Sequence, residues 1–244
     1  MDLKAQQRSK QFHTWFFPVA FVFVLWVIKL IEVVFHKELF RFGLYPREVK
    51  GLIGVIAAPL LHGDFSHLFS NTIPLLVLGA GLFYFYRQIG YKVFLFIYLV
   101  SGLWVWISAR PSYHIGASGV VYGLATFLFL SGVIRQHKYL MAFSLFVVFL
   151  YGSLIWGILP LQQGISWESH LMGALAGIVS AIYYRKKGLQ KEQFVWEDTP
   201  DDEDENALWK QTEIEKFIPD EQLQPPNITY TYKAKHSTEK PEES

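Results

Sequence analysis

Almost no acidic residue interrupts the stretch between residues 15 and 184. Of the 21 acids in the chain, only Asp2, Glu32, Glu38, Glu48, Asp64 and Glu168 precede Arg185. Hydrocarbon imposes such a depletion, since an ionised side chain at the centre of a bilayer costs about 2.5–3.5 kcal/mol or more. Six apolar runs, at roughly 15–35, 67–86, 93–108, 115–134, 140–159 and 168–184, approach the about 20 residues that a helix needs to cross a bilayer. The third and sixth are short and draw on their flanks. The expected fold is all-α, a polytopic membrane helix bundle with six transmembrane helices. The first run is too long for the apolar part of a signal peptide. Phe35-His36-Lys37-Glu38 after it offers no small-residue cleavage site, so it reads as a retained helix. Trp104, Trp106, Tyr113, Trp156 and Trp167 fall near the ends of runs, as an interfacial aromatic belt would.

Cations set the expected orientation. With the N-terminus inside, the inner segments carry Lys4, Arg8, Lys10, Arg87, Lys92, Arg135, Lys138, Arg185, Lys186 and Lys187. The outer segments carry Lys37, Arg41, Arg47, Lys50 and Arg110, half as many, which places both termini in the cytoplasm. The first outer loop mixes Leu39, Phe40, Phe42, Leu44 and Tyr45 with charges and is expected to lie on the membrane surface. Three segments follow: a cytoplasmic stretch 1–14, a membrane domain 15–187, and an acidic tail 188–244. The run Trp196-Glu-Asp-Thr-Pro-Asp-Asp-Glu-Asp-Glu205 is too polar to bury a core, and only 208–218 has the makings of a short helix. A net charge of +1 gives no reason to expect nucleic acid, and without cysteine there is neither disulfide nor thiolate chemistry. The bilayer is the expected partner.

Polar residues inside spanning helices are expensive, so their positions are informative. The second, fourth and sixth runs cross in the same direction, each starting at the outer face. The second holds His67 and Asn71 one turn apart on one face; the fourth opens with Gly116-Ala-Ser118-Gly119 and the sixth with Ser166-Trp-Glu-Ser-His170. All four polar side chains are expected at one level, roughly 5–10 Å below the outer helix ends at 1.5 Å per residue. Gly119 with Gly123, and Gly173 with Gly177, form GxxxG pairs that let helix backbones approach closely. A serine hydroxyl needs a base to become a nucleophile, and imidazole serves near neutral pH. Ser118 therefore reads as nucleophile and His170 as general base, with Tyr122 one turn below Ser118 to pack on the imidazole. Glu168 and Asp64 are badly placed for a third member, which favours a dyad. His67, Asn71 and the Ser118 backbone N–H are the candidate oxyanion donors.

Gly116-Ala-Ser118-Gly119 resembles the GxSG motif of the rhomboid intramembrane proteases. His62-Gly-Asp-Phe-Ser-His67-Leu-Phe-Ser-Asn71 resembles their HxxxxHxxxN motif, and His170-Leu-Met-Gly173-Ala-Leu-Ala-Gly177 their HxxGxxxG. The resemblance covers about 50–184, in order and spacing. It implies metal-free and cofactor-free hydrolysis of a peptide bond in or near a transmembrane segment of a protein substrate. It implies Ser118 and His170 as the dyad, His67 and Asn71 at the oxyanion, and His62 bracing the loop that leads into the second helix. A bacterial inner (plasma) membrane location follows, with the active site open to the outer side. A Trp-Arg pair that many rhomboids carry in the first loop reads Ile53-Gly54 here, so its bracing role falls to other residues.

Taken singly, each residue has a plainer reading. Ser118 fits a small packing residue between glycines, His170 an interfacial histidine, and His67 and Asn71 a helix glue. GxSG alone would also suit an α/β-hydrolase. A metal site is disfavoured, because five residues along a helix would put His62 and His67 about 140° apart. A non-catalytic relative that binds transmembrane helices keeps the same fold, and a small transporter would call for inverted repeats that the sequence does not show. Lys29 and Glu32 are spaced to pair, with no role assigned. Phe143, Phe146, Phe149 and Trp156 in the fifth run, which ends in Gly152, Gly157 and Pro160, suggest a lateral gate or simply a lipid-facing surface.

Overall fold

A computed structural model describes residues 3–150, 159 and 166–188. The chain divides into two units, Met1–Glu192 and Gln193–Ser244, and every described residue belongs to the first. The acidic tail beyond Gly188, including the stretch 208–218 where a short helix is expected, lies outside the described residues, as do Gly152, Trp156, Gly157 and Pro160.

Six helices carry the described unit: α1 Leu3–Val34, α2 Phe65–Phe85, α3 Gly90–Ser108, α4 Ser118–Ile134, α5 Lys138–Leu150 and α6 Trp167–Tyr183. Among the described residues the only strand-like pairing is an isolated antiparallel bridge between Leu44 and His114. Three helical stretches are long and apolar enough to cross a membrane on that basis alone: Phe12–Val34, Phe65–Phe85 and Gly90–Ser108. α3 is thus longer than expected, because it starts at Gly90 rather than at 93. α4 and α6 have 17 residues each, about 25 Å of helix.

α4 is the hub, packing on α2, α3, α5 and most extensively on α6. A helix apolar on every side belongs in a core, and Val120, Val121, Leu124, Phe127 and Leu128 of α4 are all buried. The α4–α6 seam is made of glycines. A Cβ on Gly173 would strike the Gly119 carbonyl, and one on Gly177 the Gly123 carbonyl, while one on Gly119 would stand 3.0 Å from the Ser169 carbonyl. These pairs rise together along both helices, so α4 and α6 run parallel, as two runs crossing in the same direction should, and the GxxxG pairs let them approach closely. α1 lies along α2, with Pro18 against Gly79 and the Trp26 Nε1–H donating to Thr72 Oγ1 at 3.0 Å.

The segment between α1 and α2 is folded rather than loose. It holds 3-10 turns at Leu39–Phe42, Val49–Ile53 and Ala58–Leu60 and a one-turn helix at Gly54–Ala57. Leu44 and Ala58 pack with Val105 and Ala109 in a small second core. Gly54 lies directly on the Leu44 backbone and Gly51 on that of Tyr45, where any Cβ would collide. Trp106 Nε1–H donates to the Glu48 carbonyl at 2.9 Å. Close glycine contacts and the Leu44–His114 bridge thus brace this segment in place of a Trp-Arg pair.

Candidate active site

The N-terminal ends of α2, α4 and α6 converge, and each end is set by its own local chemistry. Asp64 caps α2: its carboxylate accepts the His67 N–H at 2.7 Å, and that bond holds the Asp64 carboxyl below its usual range. Ser166 caps α6 by accepting the Ser169 N–H. α4 has no side-chain cap. Its start is fixed by Gly116, whose φ of +110 only glycine adopts readily, and whose N–H donates to the Ala58 carbonyl at 2.8 Å.

Ser118 is consequently the first residue of α4 rather than the fourth, as the run 115–134 implied. His67, His170 and Asn71 are the third, fourth and seventh residues of their helices. At 1.5 Å per residue the four lie within about 9 Å of their helix ends, shallower than the expected 5–10 Å for Ser118, His67 and His170. Starting the helix at Ser118 also puts its N–H, with that of Gly119, in the first turn, where amides lack intrahelical acceptors and the helix dipole is positive.

Ser118 Oγ and His170 Nε2 are 2.8 Å apart, a hydrogen bond that joins α4 to α6. The hydroxyl donates when the imidazole carries its proton on Nδ1. Tyr122 stacks on His170 with ring centroids 4.3 Å apart and planes 13° from parallel. His170 is buried, and Ser118 is partly open. His67 brings its ring against Gly116: a Cβ there would meet its Nε2 and Cε1 at 2.7 Å. Asn71 is buried and donates one Nδ2 proton to the His67 carbonyl at 2.9 Å, which leaves a second donor on the same nitrogen.

His62 is buried, and its Nε2 accepts the Ala117 N–H at 3.4 Å. It braces the residue before Ser118, a longer reach than the loop leading into α2. Burial first, then the neighbouring His67, pulls its pKa down to about 3. Its Nδ1 is buried without a well-formed hydrogen bond, though the nearby Leu60 carbonyl favours a proton there. The His62 and His67 rings lie 5.1 Å apart, contrary to the angular estimate, because His62 stands in the turn before α2 rather than on it. Among the described residues no three His, Cys, Asp or Glu side chains converge as metal ligands.

Residues 49–187 match the Rhomboid domain. The chain belongs to the rhomboid family. This rhomboid is 38% identical over 177 residues to the uncharacterized protein Rv1337 of Mycobacterium tuberculosis, an alignment covering 67% of this chain and 72% of the relative. It is 33% identical over 175 residues to the uncharacterized protein ML1171 of Mycobacterium leprae, covering 67% and 68%. Family and apolar helices together make it an integral membrane protein of an intramembrane protease family.

In this rhomboid the two nearby carboxylates hold partners of their own. Asp64 caps α2, and Glu168 pairs with Arg110 at 3.2 Å, its other oxygen being buried without a hydrogen bond. One cluster escaped the sequence reading. His114 Nδ1 meets Ser166 Oγ at 2.5 Å, and Ser166 Oγ meets Ser169 Oγ at 2.7 Å, so the α3–α4 loop is tied to the start of α6 just before His170. Burial pushes the His114 pKa down. Its only sequence signal was its place two residues before Gly116, and its partner lies 52 residues away.

Proposed function

We propose that this rhomboid is an intramembrane serine endopeptidase that hydrolyses peptide bonds in or near transmembrane segments of protein substrates. The observation that carries the reading is the 2.8 Å contact between Ser118 Oγ and His170 Nε2 under the Tyr122 ring. A non-catalytic helix-binding relative would have no need of that contact. In the proposed mechanism His170 takes the hydroxyl proton as Ser118 Oγ attacks the scissile carbonyl, and returns it to the leaving amine. The tetrahedral oxyanion forms against the α4 N-terminus, with the Ser118 N–H and the side chains of His67 and Asn71 as donors. Water then enters the same cycle to release the acyl-enzyme. No metal or cofactor takes part.

The accompanying topology is six spans, α1 to α6, with both termini cytoplasmic by the distribution of Lys and Arg. The starts of α2, α4 and α6 then face the outer side, where water reaches a site only a few ångströms inside the helix ends. The segment between α1 and α2 lies on the outer membrane surface, turning Phe42, Val49, Ile53 and Ile56, all exposed, toward lipid. The membrane domain is 15–187, and the acidic tail 188–244 is dispensable for cutting.

The test is cleavage of a transmembrane reporter by the purified chain in vesicles. Wild type should cut it in the presence of EDTA, and so should a chain ending after Gly188. Loss of cutting on chelation would contradict the metal-free mechanism.

A further inference from the structure

Lys29 stands in α1, five residues before its end, and outside the matched 49–187. Its side chain is only 7% exposed. A buried ammonium in a spanning helix is costly unless every proton finds an acceptor. All three do. Nζ donates to Glu32 Oε2 at 2.8 Å, to the His62 carbonyl at 3.0 Å and to the Gly63 carbonyl at 2.9 Å. The last two partners lie more than thirty residues away in sequence.

Those two carbonyls belong to the turn that feeds the site. From it His62 reaches the Ala117 N–H, Asp64 caps α2, and His67 lies against Gly116. The turn is otherwise thinly held. Nothing lies within 4 Å of where a Gly63 Cβ would be, and Gly63, Asp64, Phe65 and Ser66 are all exposed. α1 itself does not depend on Lys29 for its place, since Trp26 bonds Thr72 and stacks near Phe65.

We infer that Lys29 is a positioning residue for the oxyanion side of the site, its ammonium clamping the His62–Gly63 backbone so that His62 and His67 meet the start of α4 in register. This rests on the protease reading above. The clamp acts through geometry, so it should matter to the transition state more than to substrate binding, and a misplacement of about 1 Å is known to cost up to 100-fold.

The test compares wild type, Lys29→Met, Lys29→Arg, Glu32→Gln and the double variant Lys29→Met/Glu32→Gln on a transmembrane reporter. Rates are expressed per site titrated by a fluorophosphonate, which removes losses from misfolding. Lys29→Met and the double variant should lose at least about tenfold in kcat with KM within about twofold, and Lys29→Arg should recover most of the rate. Glu32→Gln keeps both carbonyl bonds and should stay within about threefold of wild type. Unchanged kcat in Lys29→Met, or its restoration in the double variant, would overturn the clamp. Should Lys29→Met yield no titratable sites, Glu32→Gln decides: a tenfold loss there would put the role in the ion pair and overturn the clamp equally. An inactive wild type sinks the protease reading and the clamp together, whereas an active wild type with an unaffected Lys29→Met sinks the clamp alone.

Discussion

The Tyr122 ring lies flat on that of His170, 4.3 Å between centroids, while Ser118 one turn earlier on the same helix bonds the imidazole Nε2. α4 therefore both supplies the hydroxyl and holds the imidazole ring bonded to it. Tyr122→Phe keeps the stacking face and should retain at least about a third of wild-type kcat; Tyr122→Ala removes it and should lose roughly tenfold or more. Equal rates for wild type and Tyr122→Ala on a transmembrane reporter would show that the ring orients nothing.

The glycine seam brings Ser118 and His170 within bonding distance, so it should be intolerant of any Cβ. Gly177→Ala would push a methyl group into the Gly123 carbonyl, backbone that has no room to yield. Overpacking of this kind typically costs about 1–3 kcal/mol. A thermal midpoint in detergent matching wild type would mean that the helices are not locked at this distance.

Much of this arrangement was legible in the sequence, because close helix contact and catalytic chemistry each demand particular residue types at fixed spacing. The GxxxG pairs gave the α4–α6 seam, and one-turn spacing gave Tyr122 its place on His170. What stayed hidden depends on contacts distant in sequence. That α4 begins at Ser118 follows from the left-handed conformation of Gly116, which is packed under His67. The fold of the α1–α2 segment follows from glycines meeting backbone at Leu44 and Tyr45. Lys29 and Glu32 showed only their mutual spacing, since the carbonyls of His62 and Gly63 leave no mark in a sequence. Grouping Phe143 with Phe146 and Phe149 along the fifth run also missed a distinction. Phe143 packs on Gly81 and Phe85 of α2, while Phe146 and Phe149 are 58% and 81% exposed.

That distinction sharpens the question of how substrate arrives. If a transmembrane substrate enters between α2 and α5, Phe143→Ala should raise its turnover severalfold and leave a soluble substrate nearly unchanged. Phe146→Ala and Phe149→Ala should do less, as residues facing outward. A crosslink between α2 and α5 should slow the membrane substrate. Full activity with that crosslink in place would remove the gate without touching the dyad.

Acid should loosen the fold before it protonates carboxylates. His62 is held neutral by burial, its pKa pulled down to about 3, and burial lowers that of His114 as well. The unfolded chain, with histidines near pKa 6.5, binds those protons first, so stability is complete above about pH 6.5 and declines as pH falls toward 3. Between pH 6.5 and 5 the loss from His62 should approach about 1.4 kcal/mol per pH unit, and His114 adds to it in the same direction. A thermal midpoint that rises over that interval would contradict the buried, neutral state, and His62→Gln should flatten the decline.

The central claim is that Ser118 and His170 work as one unit. Cleavage rates of a transmembrane reporter by purified wild type, Ser118→Ala and His170→Ala, each first shown to be folded, test it most directly. A nucleophile and its base fail together, so both variants should fall below about a hundredth of the wild-type rate. Either variant cutting above that level, or a folded wild-type chain that cuts nothing, would contradict it.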